Sequence, residues 1–326
     1  MYQSFVVRTL SCVILAFALW QASASAQPYP NKAVRFVVPA VAGGGGSIVA
    51  RIIGEGLSER WKQPVVVDNR PGAAGMIGSD VVAKSKPDGY TMMLGYASAV
   101  TINPSLYSKL PYRPVDDFAP VVLIGSVPLL MVIHPSVPAK TIKDFIAIAR
   151  ARPNQLNYSS SGNGTLTHLA GELFKSLANV GITHVPYRGG LPSFTDVLSG
   201  QVAMTFTAPA IAIQHIQSGR LLALGVTSLR RISVFPDLPT IVENGLPGFV
   251  VDNWYGVLYP ADTSAQIIEK TCDDVNSLLQ ADTVRRQLLV QGVEPIGSTS
   301  REFADVIKRD IAKWEKVVKN IKLQVD

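Results

Sequence analysis

Apolar and polar positions follow two rhythms along this chain. Residues 34–38 (VRFVV) form a short run rich in β-branched side chains, the pattern of a buried strand that Pro39 ends. Beyond the glycines at 43–46 and Ser47, apolar residues recur at Val49, Ile52, Ile53 and Leu57, the spacing of one helix face. The alternation repeats: a strand over 65–67, a loop over 69–75, a helix over 76–84, and a strand over 91–95 leading to Tyr96, Ala97, Ser98 and Ala99. Residues 103–120, rich in Pro, Tyr and Asp, read as an irregular surface segment, followed by strands over 121–125 and 128–133. Next comes a helix over 141–151, capped by Thr141 with Asp144 as a near capping box. The remaining pattern predicts strands at 157–160, 183–186, 202–206 and 222–226, separated by helices at 166–177, 191–199 and up to Ile216. An apolar stretch at 250–258 reads as a return crossing, and amphipathic helices at 264–279, 282–291 and 301–319 complete the chain.

Strands alternating with helices predict parallel sheets with helices on their faces. A first crossing near 125–127 and a second at 250–258 make one domain discontinuous and place a hinge between two. Ligands of such sheets bind outside the carboxyl ends of the strands. The turn after the first strand bares backbone N–H groups at a positive helix end, with Ser47 as the expected cap, and an anion fits there. A nucleotide P-loop is poorly matched, because no Lys follows the glycines. Asp68 lies near the spacing of a dinucleotide fingerprint, and a flexible turn without a ligand is the plainer alternative. Ala97 and Ser98 suit either a tight helix cap or ligand contact.

A second strand–turn–helix unit runs through Ser161, Gly162, Asn163, Gly164 and Thr165. The Thr165 hydroxyl can cap the helix and can reach a ligand. His168, one turn further, is either a ligand contact or a half-buried polar residue satisfied by a neighbour. Arg188, beside Gly189, can clamp a carboxylate through paired hydrogen bonds, or stand solvated at a strand end. Thr207 and Ala208 end a further strand.

Arg8, an apolar core over 12–20 and the small-residue run ending at Ala26 form a secretory signal peptide over 1–26, cleaved near Ala26. Its core is too short to span a bilayer, and no later stretch reads as a membrane span, so a soluble exported protein is expected. Removing it takes the formal charge from +6 to +5 and leaves Cys272 as the one cysteine, so no internal disulfide forms. The four histidines are scattered without metal-ligand spacing, no cofactor is called for, and no basic run suggests nucleic acid. A serine hydrolase would need a nucleophile elbow, and the serines at 159–161 lack its leading Gly.

Ordered motifs then carry a resemblance over essentially the whole mature chain: YPNKAVRFVVP at 29–39, VVVDNRPGAAGMIG at 65–78, KPDGYTMMLG at 86–95, YSSSGNGTLTHLAGELF at 158–174, VPYRGG at 185–190, FPDLPTIVENGLPGF at 235–249 and WYGVLYPA at 254–261. The chain resembles the periplasmic solute-binding proteins of the tripartite tricarboxylate transporter family, the Bug type (Bordetella uptake gene family). The resemblance implies an α/β, two-lobed type II periplasmic binding fold, a Venus flytrap whose lobes each carry a mainly parallel sheet flanked by helices. One lobe is expected from 27–126 with 252–326, the other from 127–251. It implies a non-enzyme that binds a small organic carboxylate (a di- or tricarboxylate, an acidic amino acid or an aromatic acid) and delivers it to the transporter's membrane subunits. A sensor presenting its ligand to a membrane kinase is the alternative, a periplasmic hydrolase a more distant one, and a monomer is expected. Carried over residue by residue, the ligand-binding set is Val41, Gly43, Gly44, Gly45, Ser47, Ala97 and Ser98 in one lobe. The other lobe supplies Ser161, Gly162, Gly164, Thr165, His168, Gly189, Thr207 and Ala208. Two positions depart from the family pattern: Ala42 stands where Pro is usual, and Ser47 where Asp is usual.

Overall fold

A computed structural model describes residues 29–321 and 323; the expected signal peptide lies outside them. The chain builds β1 (Val34–Val38), α1 (Gly45–Trp61), β2 (Val65–Asn69), α2 (Met76–Ala83) and β3 (Thr91–Tyr96), then a π-helical turn at Ser98–Ile102 running into α3 (Asn103–Leu106). β4 (Phe118–Pro128) leads through Leu129 alone into β5 (Leu130–Ile133). There follow α4 (Ile142–Ala151), β6 (Asn157–Ser160), α5 (Leu166–Ala178), β7 (Thr183–Pro186), α6 (Gly190–Leu198), β8 (Met204–Thr207), α7 (Pro209–Gln217) and β9 (Leu222–Val226). The chain returns through β10 (Asp252–Pro260) to α8 (Ala265–Gln280), α9 (Asp282–Val290), β11 (Glu294–Pro295) and α10 (Ser300–Ile321).

The strands form two sheets, one of six in the order β11-β4-β10-β3-β1-β2 and one of five in the order β7-β6-β8-β5-β9. β1 is parallel to β2 and β3, and β6 to β7 and β8. The other pairs are antiparallel, so both sheets are mixed where mainly parallel ones were expected. The crossings cause this. The chain leaves the first sheet along β4 and comes back along β10, and the two outgoing and returning strands lie side by side, Ser126 opposite Trp254 and Val127 opposite Asn253.

Local chemistry sets the start of α4. Thr141 and Asp144 form a complete capping box on α4, each side chain accepting from the other's backbone N–H. Residues 103–120 are less irregular than their composition suggests. Asn103 and Leu106 are buried, and β4 already begins at Phe118, because this stretch closes the space between the two sheets.

Each sheet has its own apolar core. Phe36, Val38, Ile53, Leu57 and Leu94 pack between β1, β3 and α1, while Phe145, Phe174, Phe206 and Phe249 pack around the second sheet. Each such side chain contributes about 1.5–3 kcal/mol when buried. α10 serves both sides. Its Phe303 and Ile307 join a first-sheet cluster, and Trp314, Val317 and Val318 join the core of the second.

Candidate functional site

The C-terminal ends of β1, β2 and β3 share one edge, because the strands are parallel. Gly43, at φ +80, turns the chain after β1; glycine takes that conformation without steric cost. Gly44 is the helix N-cap, and no side chain caps α1. Ser47 is therefore the third residue of the helix, a correction to its expected role as cap. The helix starts inside the glycine run because Gly45 and Gly46 lie against Tyr255; a Cβ on Gly46 would stand 3.3 Å from the Tyr255 ring. The buried Ser47 hydroxyl donates to Asn69 Oδ1 (3.1 Å) and accepts from Arg51 Nη2 (3.3 Å). Asn69 Nδ2 in turn donates to the Ala40 carbonyl (3.1 Å), tying the end of β2 to the first turn.

Among the described residues, the N–H groups of Gly45, Gly46 and Ser47 have no backbone acceptor, and the first turn of α1 holds no acidic side chain. Val41 stands 63 % exposed beside them. At the end of β3, Ala97 is buried and Ser98 half-buried where the π-helical turn begins; Thr101 Oγ1 donates to the Ala97 carbonyl (2.7 Å). The loop after β2 holds Ala73 and Ala74 at φ 46 and 52, a conformation that costs a non-glycine residue about 1–2 kcal/mol.

In the second sheet, β6, β7 and β8 likewise end on one edge. Gly162 and Gly164 adopt φ +129 and +76 in the turn after β6. Thr165 is the N-cap of α5: its hydroxyl donates to the Gly162 carbonyl (2.7 Å) and accepts from His168 N–H (3.4 Å). Thr167 ties the turn together, its Oγ1 accepting from Ser161 N–H (2.9 Å) and lying 3.0 Å from the Ser161 hydroxyl. Gly189, the N-cap of α6, donates its N–H to the Ser161 carbonyl (3.1 Å), and so joins the turn after β7 to the turn after β6. Thr207 ends β8 nearly buried, and Ala208 is the N-cap of α7 with Pro209 at its first position.

His168 is buried under the turn. Its Nδ1 accepts from Gly164 N–H (3.1 Å), and its ring stacks on His184 with centroids 4.0 Å apart. Burial pushes both imidazoles down, His184 to about 4 with the neighbouring His168 adding to the effect, so both are neutral at neutral pH. Ser160 Oγ lies 2.7 Å from His184 Nε2, the spacing of a nucleophile and its base. Ser160, however, is fully buried. This pair braces the turn and does not present a nucleophile.

Each sheet thus collects its own predicted residues at one strand edge. Among the described residues no hydrogen bond joins the first set to the second. The first turns of α1, α5, α6 and α7 all lack acidic side chains, so four helix ends carry their partial positive charge uncancelled. Asn69 and Thr167 were not singled out by the sequence pattern, and His184 was noted only among the scattered histidines. Asn69 reaches across to the first turn, Thr167 acts within its own turn, and His184 acts through its stacking on His168.

Two mixed α/β sheets are linked by a pair of crossing strands and edged with anion-ready helix ends, an arrangement of the two-lobed binding-protein class. The comparisons place the chain within it. The profile of the tripartite tricarboxylate transporter family receptor matches residues 49–323, and the chain belongs to that family. Protein BugT of Bordetella pertussis is 35 % identical over 94 % of this chain and 94 % of its own. An R. palustris protein solved with adipate is 35 % identical, superposes with a TM-score of 0.75 and is matched over its full length by 91 % of this chain. MatC from Rhodopseudomonas palustris, solved with malate, is 30 % identical with a TM-score of 0.71 over 89 % of this chain and all of its own. Among the described residues no helix is long and apolar enough to cross a membrane.

Proposed function

We propose that this chain is a non-catalytic periplasmic receptor that binds a small organic carboxylate reversibly between its two sheets and hands it to the membrane subunits of a tripartite tricarboxylate-type transporter. The observation that carries the reading is the set of unpartnered N–H groups on Gly45, Gly46 and Ser47 at an acid-free helix end. The second sheet offers helix ends of the same kind at Thr165, Gly189 and Ala208. One carboxylate satisfies such groups without a formal cation. The adipate and malate bound by the two relatives are carboxylates of that class. The exposed Arg188, which among the described residues has no partner, is placed to take a second acidic group.

The two lobes are 27–126 with 252–326, and 127–251. They close about 125–127 and 250–253, and the protein acts as a monomer after losing residues 1–26. Thr165 serves first as a helix cap, and His168 supports its turn from below without supplying charge.

A thermal-shift screen of the mature chain against malate, adipate, citrate, glutamate, benzoate, phosphate and nucleotides tests the reading. A ligand at a hundredfold excess over its Kd stabilises by about 2.7 kcal/mol, several degrees in Tm. A shift confined to one carboxylate class is expected. A shift with nucleotides alone overturns it in favour of a phosphate site.

A further inference from the structure

A cavity of about 640 Å³ shares no lining residue with the strand-end turns described above. It lies against the opposite face of the crossing strands. Trp254 and Tyr255 are neighbours on β10 and point to opposite sides: Tyr255 packs on Gly45 and Gly46, and Trp254 lines the cavity. Its walls come from both halves of the molecule. Residues 228–232 follow β9 of the second sheet, whereas β4, β11 and α10 belong to the first sheet's side. Ser233 closes one flank, its N–H and hydroxyl both donating to Glu294 Oε1 (2.9 and 2.7 Å).

The charges in the walls are mostly spoken for. Lys313 pairs with Asp310 (2.8 Å), which also accepts from Trp254 Nε1 (2.9 Å). Arg231 pairs with Glu243 (3.1 Å), Glu294 is bonded to Ser233, and Asp252 accepts from the Ser126 hydroxyl (2.5 Å). Two charges remain, Arg230 from one half and Arg309 from the other. Both are exposed, and neither guanidinium has a hydrogen-bond or ion-pair partner among the described residues. The same cavity is lined by apolar Leu229, Ile232, Val250, Trp254, Ile296 and Val306. Leu229 is 68 % and Ile296 52 % exposed, large aliphatic side chains held in water at the same mouth.

We infer that this cavity is a second binding site, for an amphipathic anion: one anionic head held by Arg230 and Arg309, with a hydrocarbon body against Trp254, Ile232 and Val306. A concave, largely apolar pocket with a few polar groups is the usual form of a small-molecule site. Guanidinium is the group best suited to a carboxylate or phosphate head. The inference stands apart from the carboxylate reading of the strand-end turns, since the two sites have no residue in common. Because both halves line the cavity, its occupant is linked to any motion between them, and the linkage acts equally in both directions.

Isothermal titration of octanoate into the full mature chain and into the Gly44→Leu variant, whose first turn is obstructed, tests the inference. Octylammonium, with the same body and opposite charge, and acetate, with the head alone, are the comparison probes. Octanoate is expected to saturate both proteins, and the two comparison probes neither. Arg230→Ala and Arg309→Ala, two exposed positions whose loss leaves folding intact, are each expected to weaken octanoate about tenfold in both backgrounds. Absence of saturation by about 5 mM overturns the inference. Equal binding of octylammonium overturns it too, as does indifference to both arginine substitutions, or loss of octanoate in Gly44→Leu alone, which assigns the binding to the strand-end turns.

Discussion

Ser47 stands where the resemblance leads one to expect Asp. An acidic side chain there would lie in the first turn of α1 and within reach of Arg51, which now bonds only to a hydroxyl at 3.3 Å. Ser47→Asp should therefore stabilise the helix end by about 0.3–1 kcal/mol and pair with Arg51. The same negative charge beside the free N–H groups should weaken carboxylate binding about tenfold. Thermal unfolding and titration of the variant read the two effects separately, and they are expected to move in opposite directions. Asp252 supplies a second residue-scale expectation. The residue is half-buried, but its Oδ1 is sealed from solvent and has no partner among the described residues. Burial, with Asp310 nearby, pushes its carboxyl up to about 7 against the opposing effects of Ser126 and Lys313. The folded chain thus holds a proton that the unfolded chain releases near pH 4, so this group's contribution to stability declines as pH rises from about 4 to 7, by at most about 4 kcal/mol. Asp252→Asn keeps the neutral form at every pH. Its Tm should lie close to the parent's near pH 3.5 and exceed it by a growing margin up to pH 8, and an equal difference at both ends would contradict the proton assignment.

At the scale of elements, the βα units were legible because buried strands read as continuous apolar runs and helices keep their own period. What was not legible has physical reasons. Four glycines carry no side-chain signal for where a helix begins, so Ser47 looked like a cap although Gly44 is one. A two-residue strand such as β11 has no period at all. The Pro-rich stretch 103–120 hides a buried turn of helix because its burial depends on α10, some 200 residues away, roughly the length of a domain. Of the candidate site, the turns were readable and the bonds that brace them were not: Asn69 acts through a partner on another loop, and Thr167 through the fold of its own turn. The first turn yields a sharp prediction of its own. Gly44 has φ −72, open to any residue, and a Cβ there would make only ordinary contact, 3.4 Å from the Val41 carbonyl. Gly44→Leu should therefore fold with nearly unchanged Tm and lose at least tenfold in carboxylate affinity. A bulky residue at Gly46 should instead lower Tm, because Tyr255 and Leu94 occupy the space.

The molecule as a whole has two sheets, yet α10 is shared between their cores. Phe303 packs on the first and Trp314 in the second, both fully buried. Neither half retains its core if that helix leaves. Calorimetry should accordingly show one unfolding transition, and Trp314→Ala should lower stability by about 3–5 kcal/mol while keeping that transition single. Two resolved transitions in the parent chain would mean that the cores are independent.

The crossing strands carry a further consequence. β4 and β10 are paired over their lengths as inner members of a sheet, with register shifts beside Gly256 and Leu258. A connection of that kind behaves less like a swivel than like a leaf spring. It flexes where the ladder is already irregular, resists twisting in proportion to how far it is bent, and returns toward its resting shape when the load is removed. Were the proposed hinge at 125–127 and 250–253 to close, these two strands would take up the load, and the ligand's own contacts would have to outweigh it for as long as the molecule stayed shut.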